Sequence, residues 1–203
     1  MKLLYSLTSP YARKVRIVAA EKGIPLEMQL VVLADPDCPV SLYNPLGKIP
    51  VLILDDKESL YDSSVIVDYL DQLSSGSVLI PQDTKSQYQV KRWEALADGV
   101  CDAGVAVLYE SRRAENLQDP SFIAKQMGKV ERGLQVLNND LGDHLFCVGQ
   151  TFSMADIALG CTLEFLQRRF PEVSLEMDYP NLARLYASLM LRDSFIETTP
   201  PQS

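Results

Sequence analysis

The residues best suited to chemistry lie in the first third of the chain, where helices are predicted to begin. Ser9 stands directly before Pro10, and Asp62-Ser63 stands directly before an apolar helical repeat. Free N–H groups and the positive end of the helix dipole favour a carboxylate at such a position. An acidic side chain beside them, such as Asp62, is suited to an ammonium group. An ordinary helix cap is the alternative interpretation of each position.

Ile49-Pro50 is the third feature that points to a small-molecule site. Pro50 precedes the apolar run at 51–54, and a proline has no backbone N–H for the ladder, so it belongs at the start of that strand. A cis bond there would turn the main-chain N–H and C=O of Ile49 outward. An extended ligand could then pair with them.

The elements that must position these residues follow from apolar periodicity and turn signals. Ser9 at the N-cap and Pro10 at the first helical position start one helix, and Lys22-Gly23 ends it. Ser63 is the cap candidate of the helix that follows the hairpin. The predicted order is β-α-β-α-β-β-α, with strands at 3–5, 27–32, 51–54 and 58–61, and a short helix within 35–43.

Only helices are predicted after a serine-rich break at 74–86. Apolar residues step along a long helix at 90–107 and a second at 123–141, and Ser153 and Asp156 form a capping box for a third. A last helix follows Pro180. We therefore predict an α/β domain at residues 1–75, a linker at 76–84 and an all-α helical bundle at 85–203.

Composition excludes several classes of protein. The 203 residues carry a net charge of −8 and no basic cluster longer than the pairs Arg112-Arg113 and Arg168-Arg169, which argues against a nucleic-acid surface. No apolar run approaches the roughly 18 residues of a membrane span, and no signal-peptide layout opens the chain. The four cysteines are scattered and there is one histidine, His144, so neither a metal site nor a disulfide framework is expected. A reducing cytoplasm is the expected compartment.

Taken together, Ser9-Pro10-Tyr11-Ala12, Ile49-Pro50, Asp62-Ser63 and the capping box resemble the cytosolic glutathione S-transferases, of the bacterial type with serine at the active-site position. The resemblance covers essentially the whole chain. It implies a thioredoxin-like N-terminal domain that binds glutathione, a helical C-terminal domain that supplies a second-substrate pocket, a homodimer, and a role in detoxification.

The resemblance also implies roles for single residues. Ser9 would contact the glutathione sulfur and favour its thiolate, with Thr8 the nearest alternative and Tyr5 a more distant one. The other glutathione-binding residues would be Tyr11, Lys48 at the glycyl carboxylate, Ile49 and Pro50 at the cysteinyl unit, Asp62 at the ammonium and Ser63 at the γ-glutamyl carboxylate. The family more often has glutamate at the position of Asp62.

The second-substrate pocket is less well defined by the sequence. Tyr109, Arg112 and Arg113 face the active site in relatives, although Tyr109 is expected to pack and an arginine of the pair to form a surface salt bridge. Trp93 is predicted to be a core residue, and His144 to be solvated.

The predicted function is the addition of glutathione thiolate to small hydrophobic electrophiles, with glutathione as co-substrate and no metal. A C-x-x-C pair is absent at residues 9–12, which excludes a dithiol mechanism there. A glutathione-binding module with little turnover is one alternative, since a fold does not fix a function. A glutathione-dependent peroxidase, isomerase or dehalogenase is the other.

Overall fold

The chain divides into two units in the computed structural model, which describes residues 1–73, 76 and 78–201. One unit comprises Met1–Ile80 and the segment that begins at Leu191, and the other comprises Pro81–Met190. The sequence analysis assigned all of residues 85–203 to the helical domain, whereas the segment that begins at Leu191 belongs to the first unit. The predicted serine-rich break and linker include Ser74, Ser75 and Ser77, which lie outside the described residues.

The first unit has the predicted β-α-β-α-β-β-α order. Its elements are β1 (Lys2–Tyr5), α1 (Pro10–Glu21), β2 (Glu27–Leu30), α2 (Val40–Tyr43), β3 (Val51–Ile53), β4 (Ser59–Leu60) and α3 (Ser63–Leu73). The sheet order is β2-β1-β3-β4, with β1 parallel to β2 and β3 antiparallel to both of its neighbours.

Both faces of this sheet are covered. Leu3 and Leu4 are adjacent on β1, and both are buried although neighbouring side chains on a strand point to opposite faces. Leu4 packs with Val40 of α2 and Val51 of β3, while α1 packs against α3. Coverage of both faces explains why the two central strands, β1 and β3, read as nearly continuous apolar runs.

The second unit is helical. Its elements are α4 (Thr84–Ser111), a 3-10 turn (Glu115–Leu117), α5 (Pro120–Leu141), α6 (Met154–Arg169), α7 (Leu175–Asp178) and α8 (Pro180–Leu189). α4 packs against α5 and α6, and α5 approaches it closely at Gly133, where a Cβ atom would lie 2.2 Å from Val100 Cγ2. The predicted capping box starts α6. No helix in the described part of the chain is both long and apolar enough to cross a membrane.

The final helix, α9 (Asp193–Glu197), packs on α1 in the first unit. Arg13 of α1 donates from Nη2 to the carbonyl of Phe195 at 3.0 Å, and its guanidinium carbon lies 5.5 Å from the centre of the Phe195 ring. Arg192 and Ser194 both donate to the carboxylate of Glu21. The segment is therefore fixed to α1 by charge and hydrogen bonds as well as by apolar contact.

Candidate functional site

Three of the predicted segments meet at one edge of the sheet. Because β3 runs antiparallel to both neighbours, the end of β1, the start of β3 and the end of β4 lie at the same edge. The chain continues from β1 to Ser9, enters β3 from Ile49-Pro50, and leaves β4 for Asp62. The topology of the sheet therefore brings Ser9, Ile49-Pro50 and Asp62 to the same edge.

Ser9 is the N-cap of α1, as predicted, and Pro10 occupies the first turn. Its Oγ atom accepts a hydrogen bond from the backbone N–H of Ala12 at 3.2 Å. A hydroxyl has two acceptor sites and one proton, so a serine that accepts this bond still has its proton to donate. Ser9 is half-buried, whereas the alternative Thr8 is exposed. Tyr11, also in the first turn, is half-buried.

The loop before β3 is organised by a buried residue that the sequence analysis did not select. Asn44 is 3% exposed, and its side chain donates to the carbonyl of Lys48 at 2.9 Å and accepts from the N–H of Leu46 at 3.0 Å. The Asn-Pro dipeptide at 44–45 is a turn signal that would have identified it. The Lys48 side chain itself is exposed.

The Ile49–Pro50 peptide bond is cis in the structure. Pro50 is buried and Ile49 is half-buried, with Cys38 and Tyr43 of the neighbouring apolar cluster packed nearby. The strand ladder of β3 begins only at Val51, so the main chain of Ile49 lies outside that pairing.

At the start of α3 the structure corrects the predicted cap. The cap is Asp62, not Ser63: Asp62 Oδ1 accepts from the N–H of Ser64 at 3.0 Å and from the Ser64 hydroxyl. The Asp62 carbonyl accepts the N–H of Ile66, as an N-cap residue should. Ser63 is the first helical residue and is 4% exposed. The Tyr61–Asp62 peptide bond is cis.

The carboxyl of Asp62 has a lowered pKa in the folded protein. Partial burial raises the pKa of its carboxyl, but hydrogen bonds from the Ser64 side chain and backbone lower it, and the positive charge of Lys14 lowers it further. The net result is a pKa below the ordinary value of 3.8. Lys14, a buried residue of α1, was not predicted because its approach to Asp62 arises only in the folded unit.

The residues expected at the second substrate lie in the helical unit, around the end of α4. Tyr109 is 58% exposed, and the Arg112 guanidinium carbon lies 5.7 Å from the centre of its ring. Arg113 forms the surface salt bridge expected of one of the two arginines, with Glu110 at 2.8 Å. Trp93 is buried, as predicted.

The first unit combines a thioredoxin-like sheet, a cis-proline at the start of a central strand and two capped helix starts at the same edge, and an all-helical unit follows it along the chain. Across the ranges that the structure describes, no group of three or more His, Cys, Asp or Glu side chains is placed to hold a metal ion. These features suit the binding of an extended anionic peptide with a free ammonium group.

Comparison with known proteins defines the family. A model of the glutathione S-transferase N-terminal domain matches residues 3–77, and a model of the C-terminal domain matches residues 113–188. The uncharacterized GST-like protein YibF of Escherichia coli K12 is 35% identical over 203 residues, which cover all of both chains. The chain therefore belongs to the glutathione S-transferase family.

Two solved structures are similar over nearly the full length. A glutathione S-transferase from Methylobacillus flagellatus KT with glutathione bound is 59% identical, with a TM-score of 0.96 and coverage of 98% of this chain and 99% of that one. One from Methylobacterium radiotolerans, in complex with glutathione sulfonate, is 40% identical, with a TM-score of 0.94 and coverage of 100% and 95%.

Proposed function

We propose that this protein binds glutathione at the sheet edge formed by Ser9, Ile49-Pro50 and Asp62 and transfers its thiolate to small hydrophobic electrophiles. The observation that carries the proposal is the convergence of these three segments at one edge of a thioredoxin-like sheet. The bound glutathione of the 59% identical Methylobacillus flagellatus structure supports it.

Ser9 is the proposed catalytic residue. The thiol of glutathione has an ordinary pKa of about 8.5, so only a few per cent is thiolate at neutral pH. A hydroxyl donor and the positive end of a helix dipole both favour the charged sulfur. Ser9 combines the two, because the bond that it accepts from Ala12 leaves its proton for the sulfur.

The remaining residues are proposed to hold the tripeptide. Asp62, kept anionic by its hydrogen bonds, pairs with the ammonium, and the start of α3 at Ser63 receives the γ-glutamyl carboxylate. The main chain of Ile49 beside Pro50 pairs with the cysteinyl unit, and the exposed Lys48 meets the glycyl carboxylate. Tyr11, in the first turn of α1, is the last of the residues that we propose to contact glutathione.

Arg112 and Arg113, with Tyr109, are proposed to face the second substrate. Because Arg113 is paired with Glu110, the charge of Arg112 is the one that would suit a negative substituent on an otherwise hydrophobic electrophile. We further propose that the protein acts in the cytoplasm, in detoxification, as a homodimer. Leu46 and Val65 are 70% and 49% exposed in the first unit and offer apolar surface to a second copy. Sedimentation at twice the 22.7 kDa chain mass would support the dimer, and a monomer would contradict it.

Calorimetric titration with glutathione, together with ultraviolet absorbance of the bound thiolate across pH, tests the proposed function. We expect one saturable site per chain and a bound thiol pKa well below the free value. We also expect the protein to catalyse the reaction of glutathione with aryl halides.

The other outcomes separate the alternatives. Binding with an unshifted thiol and no turnover would favour a glutathione-binding module. Reduction of hydroperoxides without activity on aryl halides would favour a peroxidase. Absence of binding would overturn the proposal.

A further inference from the structure

The loop between α2 and β3 is organised around the side chain of Asn44. Its Nδ2 atom donates to the carbonyl of Lys48 at 2.9 Å, and its Oδ1 atom accepts from the N–H of Leu46 at 3.0 Å. The Asn44 carbonyl also accepts from the N–H of Gly47 at 2.9 Å. A single residue that is 3% exposed therefore bonds to three successive residues of this loop.

The backbone at Asn44 is itself attached to the neighbouring elements. Its N–H donates to the carbonyl of Val40 in α2 at 2.8 Å. The carbonyl of the preceding residue, Tyr43, accepts from the Oγ atom of Ser59 in β4, also at 2.8 Å. The side chain of Asn44 thus connects the loop to a backbone that α2 and β4 already hold in place.

The hydrogen bond from Asn44 to Lys48 sets the direction of the next N–H group. The Lys48–Ile49 peptide bond is trans, whereas Ile49–Pro50 is cis. In a planar trans peptide the C=O and the N–H point in opposite directions. Because the Lys48 carbonyl points at the buried Asn44, the Ile49 N–H points away from it. In the part of the chain that the structure describes, no acceptor takes a hydrogen bond from this N–H, so it is available to a ligand.

We propose that Asn44 is a positioning residue of the glutathione site, which directs the Ile49 N–H to the carbonyl of the cysteinyl unit without contacting glutathione itself. This role rests on the proposed function, in which the main chain of Ile49 pairs with that unit. A donor held in this way is preorganised, so the loop needs little ordering when glutathione binds. Asn44 should therefore govern the affinity for glutathione, whereas Ser9 governs the ionisation of its thiol.

Asn44→Asp and Asn44→Ala test this role in the full chain. Asn44→Asp keeps an oxygen that accepts from Leu46 and loses the donor to Lys48, and Asn44→Ala loses both. We expect glutathione Kd, measured by calorimetry, to rise about tenfold in each variant. The pKa of the bound thiol, measured by ultraviolet absorbance, should stay at the parent value, because Asn44 does not act on the sulfur.

Amide hydrogen exchange reports on the Ile49 N–H directly. In the parent saturated with glutathione, exchange at this amide should slow about tenfold relative to the free protein, because the N–H gains an acceptor. The slowing should be lost in Asn44→Asp at saturating glutathione. Equal slowing in the parent and in Asn44→Asp would overturn the role of Asn44.

Asn138→Ala is the matched control for a general loss of stability. Asn138 is 7% exposed, and its Oδ1 atom accepts from the N–H groups of Asn181 and Leu182, at 3.0 and 3.3 Å. It belongs to the helical unit and shares no hydrogen-bond partner with the loop at residues 44–48. Glutathione Kd in Asn138→Ala should therefore stay within about twofold of the parent value.

The outcomes separate this role from the proposed function. Glutathione binding equal to that of the parent in both Asn44 variants would overturn the role of Asn44 and leave the proposed function intact. A thiol pKa that shifts together with Kd would mean that the whole site had lost its geometry, and would overturn the role too. A parent chain that does not bind glutathione would overturn the proposed function and this role with it. Asn44→Asp is close to the parent in size, so it keeps the test available if Asn44→Ala does not fold.

Discussion

Ser9 carries both a structural and a proposed chemical role, and the two can be measured separately. As the N-cap of α1 it accepts from Ala12, and the loss of such a cap costs about 1 kcal/mol. As the proposed donor to the glutathione sulfur it acts on a charged atom. Hydrogen bonds to charged groups are worth about 1.5–3 kcal/mol.

Ser9→Ala should therefore reduce kcat for thiol transfer roughly 10- to 100-fold while glutathione Kd changes about threefold or less. The tripeptide ends are held elsewhere, which is why affinity should survive. Steady-state kinetics and calorimetry measure the two effects. Thr8→Ala is the matched control and should retain the parent rate. Equal rates in Ser9→Ala and the parent would remove Ser9 from the mechanism, and a slow Thr8→Ala would transfer the role to Thr8.

Two substitutions at Asp62 can separate the proposed effect of its charge on glutathione binding from its effect as a helix cap. Asp62→Asn keeps an oxygen that accepts from the Ser64 N–H but loses the charge proposed to hold the ammonium. We expect glutathione Kd to rise about tenfold with stability close to that of the parent. Asp62→Ala should lose affinity and, in addition, about 1 kcal/mol of stability. An unchanged Kd in Asp62→Asn would contradict the assignment of the ammonium.

Local signals explain which of these residues could be predicted. Ser9 was correctly predicted to be the N-cap of α1, because the adjacent residues Ser9 and Pro10 are a local signal for the start of a helix. Asp62 and Ser63 are both good caps, so the sequence gives no reason to choose the earlier one. In the structure Asp62 is the cap, because its carboxylate accepts a hydrogen bond from the Ser64 N–H. Lys14 could not be assigned, because its effect on Asp62 requires two helices to be packed together.

At the scale of elements, a buried ion pair joins the end of α1 to the end of α3. Lys22 Nζ lies 2.9 Å from Asp71 Oδ1, and the two side chains are 1% and 5% exposed. Asp71 also accepts from the backbone N–H groups of Leu79 and Ile80, both at 3.1 Å. One carboxylate thus contacts the end of α1, the end of α3 and the backbone at residues 79–80.

Lys22→Met should lower the free energy of unfolding by about 3–5 kcal/mol, because it leaves the buried carboxylate of Asp71 without its counter-charge. Denaturation in urea measures the loss. The exposed pair Lys2–Glu27, at 3.0 Å, provides the control: Lys2→Met should cost about 1 kcal/mol or less. A loss in Lys22→Met no larger than that in Lys2→Met would show that the pair does not hold these elements.

The order of elements was predictable, since apolar runs and turn residues are local. The strands are shorter than predicted at 27–32 and 58–61, because β2 and β4 pair over only four and two residues. The position of Lys22 as the cap of α1 follows from Gly23 beyond it, at φ +63°. Its partner Asp71 lies 49 residues away, and nothing in the local pattern connects them.

At the scale of the whole molecule, the segment after Leu191 makes the stability of the first unit depend on contacts between opposite ends of the chain. Glu21 receives two hydrogen bonds from Arg192, at 3.1 and 2.9 Å, and one from Ser194 at 2.6 Å. Sequence periodicity did not indicate that the last segment packs on α1, since polar contacts between distant segments have no local signature.

These contacts predict a specific dependence of stability on pH. Burial raises the pKa of Glu21, but the hydrogen bonds from Arg192 and Ser194 and the charge of Arg192 lower it more, so that it lies below 4.5 in the folded protein. The unfolded chain then binds more protons than the folded one as pH falls. The stabilisation is complete above pH 4.5 and is lost as the pH falls through the folded-state pKa.

Glu21→Gln should therefore be less stable than the parent at pH 7, and the gap should narrow steadily as the pH falls below 4.5. Urea denaturation of both proteins between pH 7 and pH 3 measures the difference. Glu27→Gln, whose parent side chain is 69% exposed beside Lys2, is the control and should stay close to the parent throughout. A gap that is constant with pH would mean that Glu21 stabilises the fold through shape and packing, and that its charge does not attach the last segment to α1.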